Sequence, residues 1–425
     1  RLASFYPEGN MPEGISAAGD GLPFFTPSNQ IRWSNPEKTL YDNPRIFLKS
    51  ILKPLKGFEI AFEYTFDKNI YDYSWYTGSV VYTTVQGGKD TTPTNDYLQK
   101  KKRYTDYNSI NLYGTYDFSL GNHQFKIMAG FNQESSYQET MEALSYGQAV
   151  IEVPSLGSGT STLKATDKYN EFSVRGGFFR VNYNYQDKYL LEVNGRYDGS
   201  SVLADGHKWS FFPSAALGWR IDQEDFMKDI SWINQLKLRF GLGTTGNSAV
   251  SAYSTLGNIQ SFYVPFGSTL TPAYATNEPY YTSSQVKMAN KDLGWEKTTQ
   301  YNYGVDFSFL NGRISGLMDI YHSNTNDLLL SMTIPTLTGF NSTYANVGKT
   351  KNFGVDLSLN LVPIQTKDFE WSSTINAAYQ KDEILELANG KQDDISNAWF
   401  IGESINVYYG IANDGLWQES DAGEM

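Results

Sequence analysis

Apolar and polar residues alternate along much of the chain with a period of two, which is typical of β-strands. Segment 58–66 places its apolar side chains on one predicted face and puts Glu59 and Glu63 on the other. The same alternation appears at 110–118 and 125–134. Each of these segments is therefore predicted to be a strand with one apolar and one polar face.

Short turns join neighbouring predicted strands. Asn311-Gly312 lies between two alternating runs and predicts a type I′ hairpin, because both residues accept the positive φ angles of that turn. Leu120-Gly121-Asn122 predicts a second tight hairpin. The segments predicted to span as strands are 45–53, 58–67, 104–118, 124–134, 168–185, 189–200, 209–221, 235–245, 297–310, 313–328, 351–362 and 368–385.

The connections between these strands alternate between short turns and long polar stretches. One connection, Asp222 to Asn234, is of intermediate length. Outer-membrane barrels place short turns at one rim and long loops at the other, whereas a soluble sandwich or propeller has no such requirement. The order therefore favours an all-β, antiparallel transmembrane β-barrel. The long stretches are 68–103, 135–167, 246–296, 329–350 and 386–425.

The amino-acid composition excludes some classes of protein. The 425 residues are 40% hydrophobic and 15% aromatic, and no run approaches the roughly 18–20 apolar residues of a spanning helix. A helical membrane protein is excluded, while the aromatic content suits the interfacial girdles of a barrel. The net charge of −12 argues against a nucleic-acid partner, since such binding relies on clustered Lys and Arg.

Candidate chemistry is sparse. The chain has no Cys, and its 3 His lie far apart, so thiolate and His-based metal sites are not predicted. Asp393, Asp394 and Asp414 could hold a loop Ca²⁺ or could be solvated acids. Residues 241–246, GLGTTG, fit a dinucleotide-binding pattern, but no amphipathic helix follows, and a strand end is the better interpretation. No cofactor and no enzymatic activity are predicted.

The acidic chain contains one basic run, formed by Lys100, Lys101, Lys102 and Arg103. At the outer end of a predicted strand, these residues would meet the anionic head groups of lipopolysaccharide. A solvated loop is the alternative.

The two ends of the sequence bear on completeness. The first residues lack a charged segment followed by an apolar run, so no signal peptide is recognised. The last residues lie in a predicted loop, and lipid cannot satisfy the free edge of an open sheet. The sequence is therefore expected to be incomplete at both ends.

Several segments resemble the SusC/RagA family of TonB-dependent transporters from Bacteroidota. The most specific is 290–330, NKDLGWEKTTQYNYGVDFSFLNGRISGLMDIYHSNTNDLLL. Together the similar segments cover most of the chain from about residue 170 onward. Supporting segments follow in the family's order at 178–201, 211–221, 236–247, 346–360 and 408–418.

The resemblance implies a barrel of 22 strands, of which about 12 are visible. It also implies an N-terminal plug, a SusD-like surface lipoprotein lid and energy coupling through TonB, ExbB and ExbD. No plug is recognisable, so residues 1–425 are assigned to a partial barrel domain without plug and final strands.

The implied function is active import of glycans across the bacterial outer membrane. Import of oligopeptides by the same family is the near alternative. From other classes, a passive porin would need no plug, and a surface glycan-binding protein would leave membranes without detergent.

The longest predicted loop, Ser248–Lys297, carries more aromatic rings than solubility requires. Aromatic rings are flat and apolar and lose little side-chain entropy on binding. Loops on a rigid scaffold often carry binding residues. Packing of the rings against one another is the alternative. The candidate contacts to substrate or lid are Tyr263, Phe266, Tyr280 and Tyr281.

Overall fold

The computed structural model describes residues 37–78, 80–83, 89–92, 96–150, 153–161, 163–256, 260–266, 269–275, 287–338, 340 and 342–410. Their regular structure is almost entirely β-strand, with a few 3₁₀ turns. None of the helical turns in these residues is long and apolar enough to cross a membrane. The strands are β1 Glu37–Asp42, β2 Arg45–Leu55, β3 Phe58–Thr77, β4 Val80–Thr83, β5 Lys89–Thr92, β6 Tyr97–Leu120, β7 His123–Tyr146, β8 Leu163–Tyr185, β9 Tyr189–Ser200, β10 Trp209–Arg220, β11 Ile233–Asn247, β12 Gln260–Phe266, β13 Thr269–Ala275, β14 Lys287–Met288, β15 Glu296–Phe309, β16 Ile314–Asn326, β17 Leu329–Thr333, β18 Ser342–Asn346, β19 Lys349–Gln365 and β20 Glu370–Glu386.

Thirteen of these strands form one sheet in the order β1-β3-β6-β7-β8-β9-β10-β11-β15-β16-β19-β20, with β2 also paired to β3. β1 and β2 both pair with β3 and lie one after the other along it. The thirteen strands therefore fill twelve positions in the sheet. The strand pairs of this sheet whose register is assigned are antiparallel. The predicted all-β antiparallel fold with about a dozen strands is confirmed.

Short and long connections alternate along this sheet as predicted, except that the connection 201–208 between β9 and β10 is shorter than the connection 221–232 that follows. The intermediate connection between β10 and β11 contains 3₁₀ turns at Ile221–Gln223 and Asp225–Met227. The turn after β15 and the connection 248–295 before it lie at opposite ends of that strand, as predicted. The other short turns are 56–57, 121–122, 186–188 and 366–369.

Several strands are longer than predicted, β3, β6 and β7 by the most. β3, β6, β7 and β8 contain 20, 24, 24 and 23 residues. The prediction that 68–103 and 135–167 are wholly loops was wrong, because aromatic and charged residues continue the alternation there after the aliphatic residues end. The predicted loops 246–296 and 329–350 also contain strands, namely the pairs β12–β13 and β17–β18. Register confirms the extension, since Tyr41 of β1 pairs with Tyr71 of β3.

The hairpin between β15 and β16 spans residues 310–313. Leu310, Asn311 and Gly312 have φ angles of 53°, 58° and 81°. The predicted two-residue turn was wrong in length, because strand pairing stops one residue earlier on each side. The Asn234 side-chain oxygen accepts hydrogen bonds from the amides of Asn311 (2.7 Å) and Gly312 (3.3 Å).

The described residues belong to two compact units. Many large apolar side chains of the sheet are exposed, including Leu217 (53%) and Tyr303 (54%). Such exposure is expected of strands that face lipid. Among the described residues, unit 1 draws on 37–50, 62–111 and 133–173, and unit 2 draws on 51–61, 112–132 and 174–410.

Candidate functional site

The paired strands β15 and β16 show two chemically different faces. On one face Tyr303 pairs with Ile320, and on the other Gly304 pairs with Asp319. In transmembrane barrels the apolar face meets lipid and the polar face meets the interior. We call the second surface the polar face, and it is the candidate functional surface because a passing solute would contact it.

A charged cluster lies on the polar face of unit 2. Arg239 of β11 donates through Nε to Asp306 of β15 (2.9 Å) and through Nη2 to Asp319 of β16 (3.0 Å). The three side chains are 30%, 24% and 17% exposed, so water screens the ion pairs only in part. One guanidinium therefore connects three strands.

A glycine makes this cluster possible. Gly304 pairs with Arg239 on one side and with Asp319 on the other. A Cβ at Gly304 would lie 2.6 Å from Arg239 Cζ and 2.6 Å from Asp319 Oδ1. The arginine reaches across the whole of β15 because residue 304 has no side chain.

A cavity of about 560 Å³ opens beside the charged cluster, within unit 2. Amides, carboxylates and cationic groups are all present, so the cavity can offer hydrogen bonds of both polarities. Its polar lining includes Lys126, Asn182, Glu192, Lys237, Arg239 and Asn302.

Asp222 fixes the connection between β10 and β11. Its carboxylate accepts hydrogen bonds from Arg220 Nη2 (2.8 Å), Gln223 Nε2 (2.6 Å) and the amide of Leu236 (3.3 Å). Burial acts to raise the pKa of Asp222, but the hydrogen bonds together outweigh burial and hold the pKa below its usual value. The ionised carboxylate therefore ties the turn to the start of β11.

Aromatic rings line one surface of unit 1. Tyr41 and Tyr71 are 5.1 Å apart between ring centroids, and Tyr71 and Tyr73 are 6.2 Å apart with nearly parallel rings. The nearby pairs Trp75–Tyr97 and Tyr97–Tyr146 are separated by 5.6 and 5.8 Å. We call this set the aromatic shelf, and its members are Tyr41, Tyr71, Tyr73, Trp75, Tyr97 and Tyr146.

Within unit 1, alternation along β6 places the shelf on the more polar face of its strands, which we also call the polar face. Tyr97 shares its face with Arg103, Ser109 and Asn111, because side chains two residues apart point the same way. Ile110 is 37% exposed on the opposite face. The shelf is therefore an aromatic part of a surface that is otherwise polar.

Polar side chains surround the rings of the shelf. Gln99 Nε2 donates to Glu142 (2.6 Å), and Lys101 Nζ lies 3.5 Å from the same carboxylate. Arg103 and Lys164 each lie over a shelf ring, at 5.1 and 6.0 Å from its centroid. Hydrogen-bonding groups thus flank flat apolar rings.

The predicted basic run lies inside β6, near the end that adjoins a long connection. Lys100 and Lys102 occupy the side opposite the polar face, whereas Lys101 and Arg103 lie on the polar face. Lys102 Nζ is 3.2 Å from the carboxylate of Asp72. Contact with lipopolysaccharide stays a prediction, for which Lys100 and Lys102 have the suitable orientation.

The four predicted aromatic loop residues cannot be assigned contacts. Tyr263 and Phe266 belong to β12, which pairs with β13, but their side chains fall outside the described structure. Tyr280 and Tyr281 lie wholly outside the described residues. Their role in binding stays a prediction.

Two of the three candidate Ca²⁺ ligands, Asp393 and Asp394, accept hydrogen bonds within a local turn. Asp394 accepts hydrogen bonds from Ser396 Oγ (2.6 Å) and the amide of Asn397 (3.2 Å), and Asp393 accepts one from the amide of Ile401 (2.8 Å). Within the described ranges, no three His, Cys, Asp or Glu residues are grouped to hold a metal ion. The third candidate, Asp414, is outside those ranges.

The GLGTTG segment is part of a strand, as predicted. Residues 241–246 lie within β11, and the residues described up to 256 contain no helix. A Cβ at Gly246 would lie 2.2 Å from the ring of Phe212. Close packing, rather than phosphate binding, explains that glycine.

Sequence reasoning did not identify the aromatic shelf. The segment YDYSW contains a usable signal, because Tyr71, Tyr73 and Trp75 alternate with Asp72 and Ser74. A period of two that combines aromatic with polar residues predicts a strand with a ring-bearing face.

Comparison with known proteins identifies the family. The profile of the family described as TonB dependent receptor-like, beta-barrel matches residues 4–407. TonB-dependent receptor SusC of Bacteroides thetaiotaomicron is 37% identical over 310 residues, which cover 71% of this chain and 30% of SusC. TonB-dependent receptor P26 of Formosa agariphila is 32% identical over 324 residues, which cover 72% of this chain and 31% of P26. The chain spans about a third of the length of these relatives.

The fold has counterparts among solved structures. The structure of the RagAB peptide transporter superimposes with a TM-score of 0.79 over 93% of this chain and 42% of that chain, at 23% identity. At this identity the likeness shows the fold alone. The family match over nearly the whole chain confirms the resemblance to SusC/RagA-type proteins, and this chain belongs to the TonB-dependent receptor β-barrel family.

Proposed function

We propose that the chain forms part of the barrel of an outer-membrane, TonB-dependent importer that takes up glycans. The observation that carries the proposal is the division of the strands into an apolar and a polar face. A sheet in lipid needs only one apolar face. In unit 2 the opposite face carries the Arg239 cluster and the cavity, and in unit 1 it carries the aromatic shelf. The cavity and the shelf each suit contact with a polar solute.

The whole importer would work with a SusD-like lipoprotein lid and with TonB, ExbB and ExbD. Its family consists of receptors and transporters and is not an enzyme class, which supports import without covalent chemistry. The connection between β11 and β15 is the proposed docking surface for the lid. It contains Tyr263, Phe266, Tyr280 and Tyr281.

Growth on defined carbon sources tests the proposed function. Deletion of the gene should abolish growth on one or more oligosaccharides while growth on the constituent monosaccharide continues, because monosaccharides pass general pores. Complementation with the full-length gene should restore growth. Unchanged growth on every oligosaccharide would contradict glycan import.

Import of oligopeptides is the second candidate, since the RagAB peptide transporter shares the fold. The same deletion strain distinguishes the two, because a peptide importer would be needed for growth on peptides and dispensable on glycans. Uptake that continues without TonB would indicate a passive porin. Release of the protein from membranes by salt, without detergent, would indicate a peripheral glycan-binding protein.

The lid surface can be tested apart from uptake. Alanine at Tyr263, Phe266, Tyr280 and Tyr281 in the full-length protein should reduce co-purification of the lid, since aromatic anchors dominate many protein interfaces. Uptake is measured in the same strains. If lid co-purification and uptake both stayed at wild-type values while the barrel remained folded, this connection would neither dock the lid nor bind substrate.

A further inference from the structure

The aromatic shelf of unit 1 presents rings where the neighbouring positions are mainly polar. Tyr41 is 60% exposed, and the other shelf rings are half-buried. The rings meet at tilted, edge-on or nearly parallel angles, and ring area is left for a ligand except where Arg103 lies over Tyr71 and Lys164 over Tyr146. Rings that served only to fill a core would be buried, as Leu98 is at 2% exposure.

The arrangement of the rings suits a chain of sugar units. Tyr71, Tyr73 and Trp75 project from one strand at every second residue, about 6.7 Å apart. A pyranose offers one apolar face and a rim of hydroxyl groups, and an aromatic ring binds the former through flat apolar contact. The Gln99 amide and the Glu142 carboxylate beside the rings can bind the hydroxyl groups.

The charges around the shelf favour a neutral ligand. Lys101 is paired with Glu142 at 3.5 Å. Arg103 and Lys164 lie over rings of the shelf, where the ring quadrupole attracts them. The three cations therefore have partners on the shelf, although Arg103 Nε has no hydrogen-bond acceptor among the described residues. The Glu37 carboxylate beside Trp75 adds a negative charge that disfavours an anionic ligand.

The position of the shelf disfavours a peptide. Extended peptides commonly bind by adding a strand to a free sheet edge, where backbone groups are unpaired. Tyr71, Tyr73, Trp75 and Tyr97 lie on β3 and β6, which are paired on both sides, and only Tyr41 lies on β1, which ends the sheet among the described residues. Side-chain stacking, rather than backbone pairing, is what this surface offers.

We infer that the aromatic shelf is a binding platform for neutral oligosaccharides, with sugar rings stacked on Tyr71, Tyr73 and Trp75. The inference rests on the proposed function, because it names the substrate class and the residues that would hold it. Glu142 and Gln99 bind hydroxyl groups at the margin, and Lys101 holds the Glu142 carboxylate in place.

The test uses the full-length protein with its lid, purified in detergent and applied to an array of neutral, acidic and sulfated oligosaccharides. The dissociation constant of the best neutral ligand is then measured by titration. The triple variant Tyr71→Ala, Tyr73→Ala, Trp75→Leu should bind this ligand at least roughly tenfold more weakly. Tyr73→Phe should stay within about threefold of wild type, because the ring remains.

A matched control removes rings from the opposite side of the same strands. Tyr64→Ala with Tyr104→Ala should leave affinity unchanged, since Tyr64 and Tyr104 do not share the polar face. Folding is checked by the heat-dependent migration typical of intact barrels. Should the triple variant not fold, Trp75→Leu alone must weaken binding by about threefold.

The outcomes separate this inference from the proposed function. A wild-type protein that binds neutral oligosaccharides, with a triple variant that binds them equally well, overturns the inference and leaves glycan import standing. A wild-type protein that binds no neutral oligosaccharide overturns both. Loss of the lid from the triple variant, with unchanged glycan affinity, would identify the shelf as a protein contact and overturn the inference.

Discussion

The aromatic shelf of unit 1 and the Arg239 cluster of unit 2 occupy polar faces but differ in what they leave available. In the cluster, one guanidinium donates through Nε and Nη2 to two carboxylates across a glycine, while Asp319 Oδ1 is buried without a hydrogen-bond partner. In the shelf, Lys101 is paired with Glu142, Arg103 lies over one face of Tyr71, and the rings stay partly exposed. Substitutions in the cluster should therefore lower stability, and substitutions in the shelf should lower affinity.

The largest expected effect on stability follows from Gly304→Val. The new side chain would occupy the space between Arg239 and Asp319, where a Cβ alone meets atoms at 2.6 Å. The free energy of unfolding should fall by about 2–3 kcal/mol, from overpacking and loss of the ion pair. Urea unfolding in detergent measures it. Gly241→Ala is the control, because its Cβ would lie 3.8 Å from Asn302; equal losses in both variants would contradict this account of Gly304.

Arg239→Met sharpens the comparison directly. Removing the guanidinium leaves Asp306 and Asp319 without their shared cation, so the free energy of unfolding should fall by about 1–3 kcal/mol. Affinity for the neutral glycan should change by less than about twofold, because the shelf is untouched. Trp75→Leu should show the converse pattern. If both variants lose affinity and stability alike, the two regions do not have separate roles.

Asp222→Asn extends the stability side of the comparison to a turn. The folded pKa of Asp222 lies below its usual value of about 3.9. A carboxyl of this kind stabilises the fold above its unfolded pKa, and this contribution is lost as the pH falls through the folded pKa. The variant should be about 1–2 kcal/mol less stable at neutral pH, and the difference should shrink below about pH 4. A difference that is constant with pH would contradict a role for the ionised carboxylate.

The smallest expected effect concerns lipopolysaccharide. Lys100→Ser with Lys102→Ser should reduce the amount that co-purifies, since each exposed cation contributes about 1 kcal/mol near an anionic surface. Lys101→Ser with Arg103→Ser removes equal charge from the polar face and should leave retention unchanged. Equal retention in both double variants would reject the contact.

Pattern in the sequence predicted the strands where aliphatic and polar residues alternate, as in β15 and β16. It failed in the extensions of β3 and β6, because tyrosines interleaved with charges have the composition of a loop. The Arg239 cluster could not be predicted from the sequence, for a different reason. It depends on Gly304 pairing with both Arg239 and Asp319, and such a register between distant segments leaves no local signal. The shelf likewise combines β1, β3, β6 and β7.

The central claim is that the polar face lines the path of an imported glycan, and substituted cysteines test it most directly. This chain contains no Cys, so a label reports on the introduced position within it. Gln99 and Lys100 are adjacent in β6 and point to opposite faces. The glycan identified from growth should protect Gln99→Cys, and not Lys100→Cys, from a water-soluble maleimide in the full-length protein. Protection of Lys100→Cys alone, or of neither position, would contradict the claim.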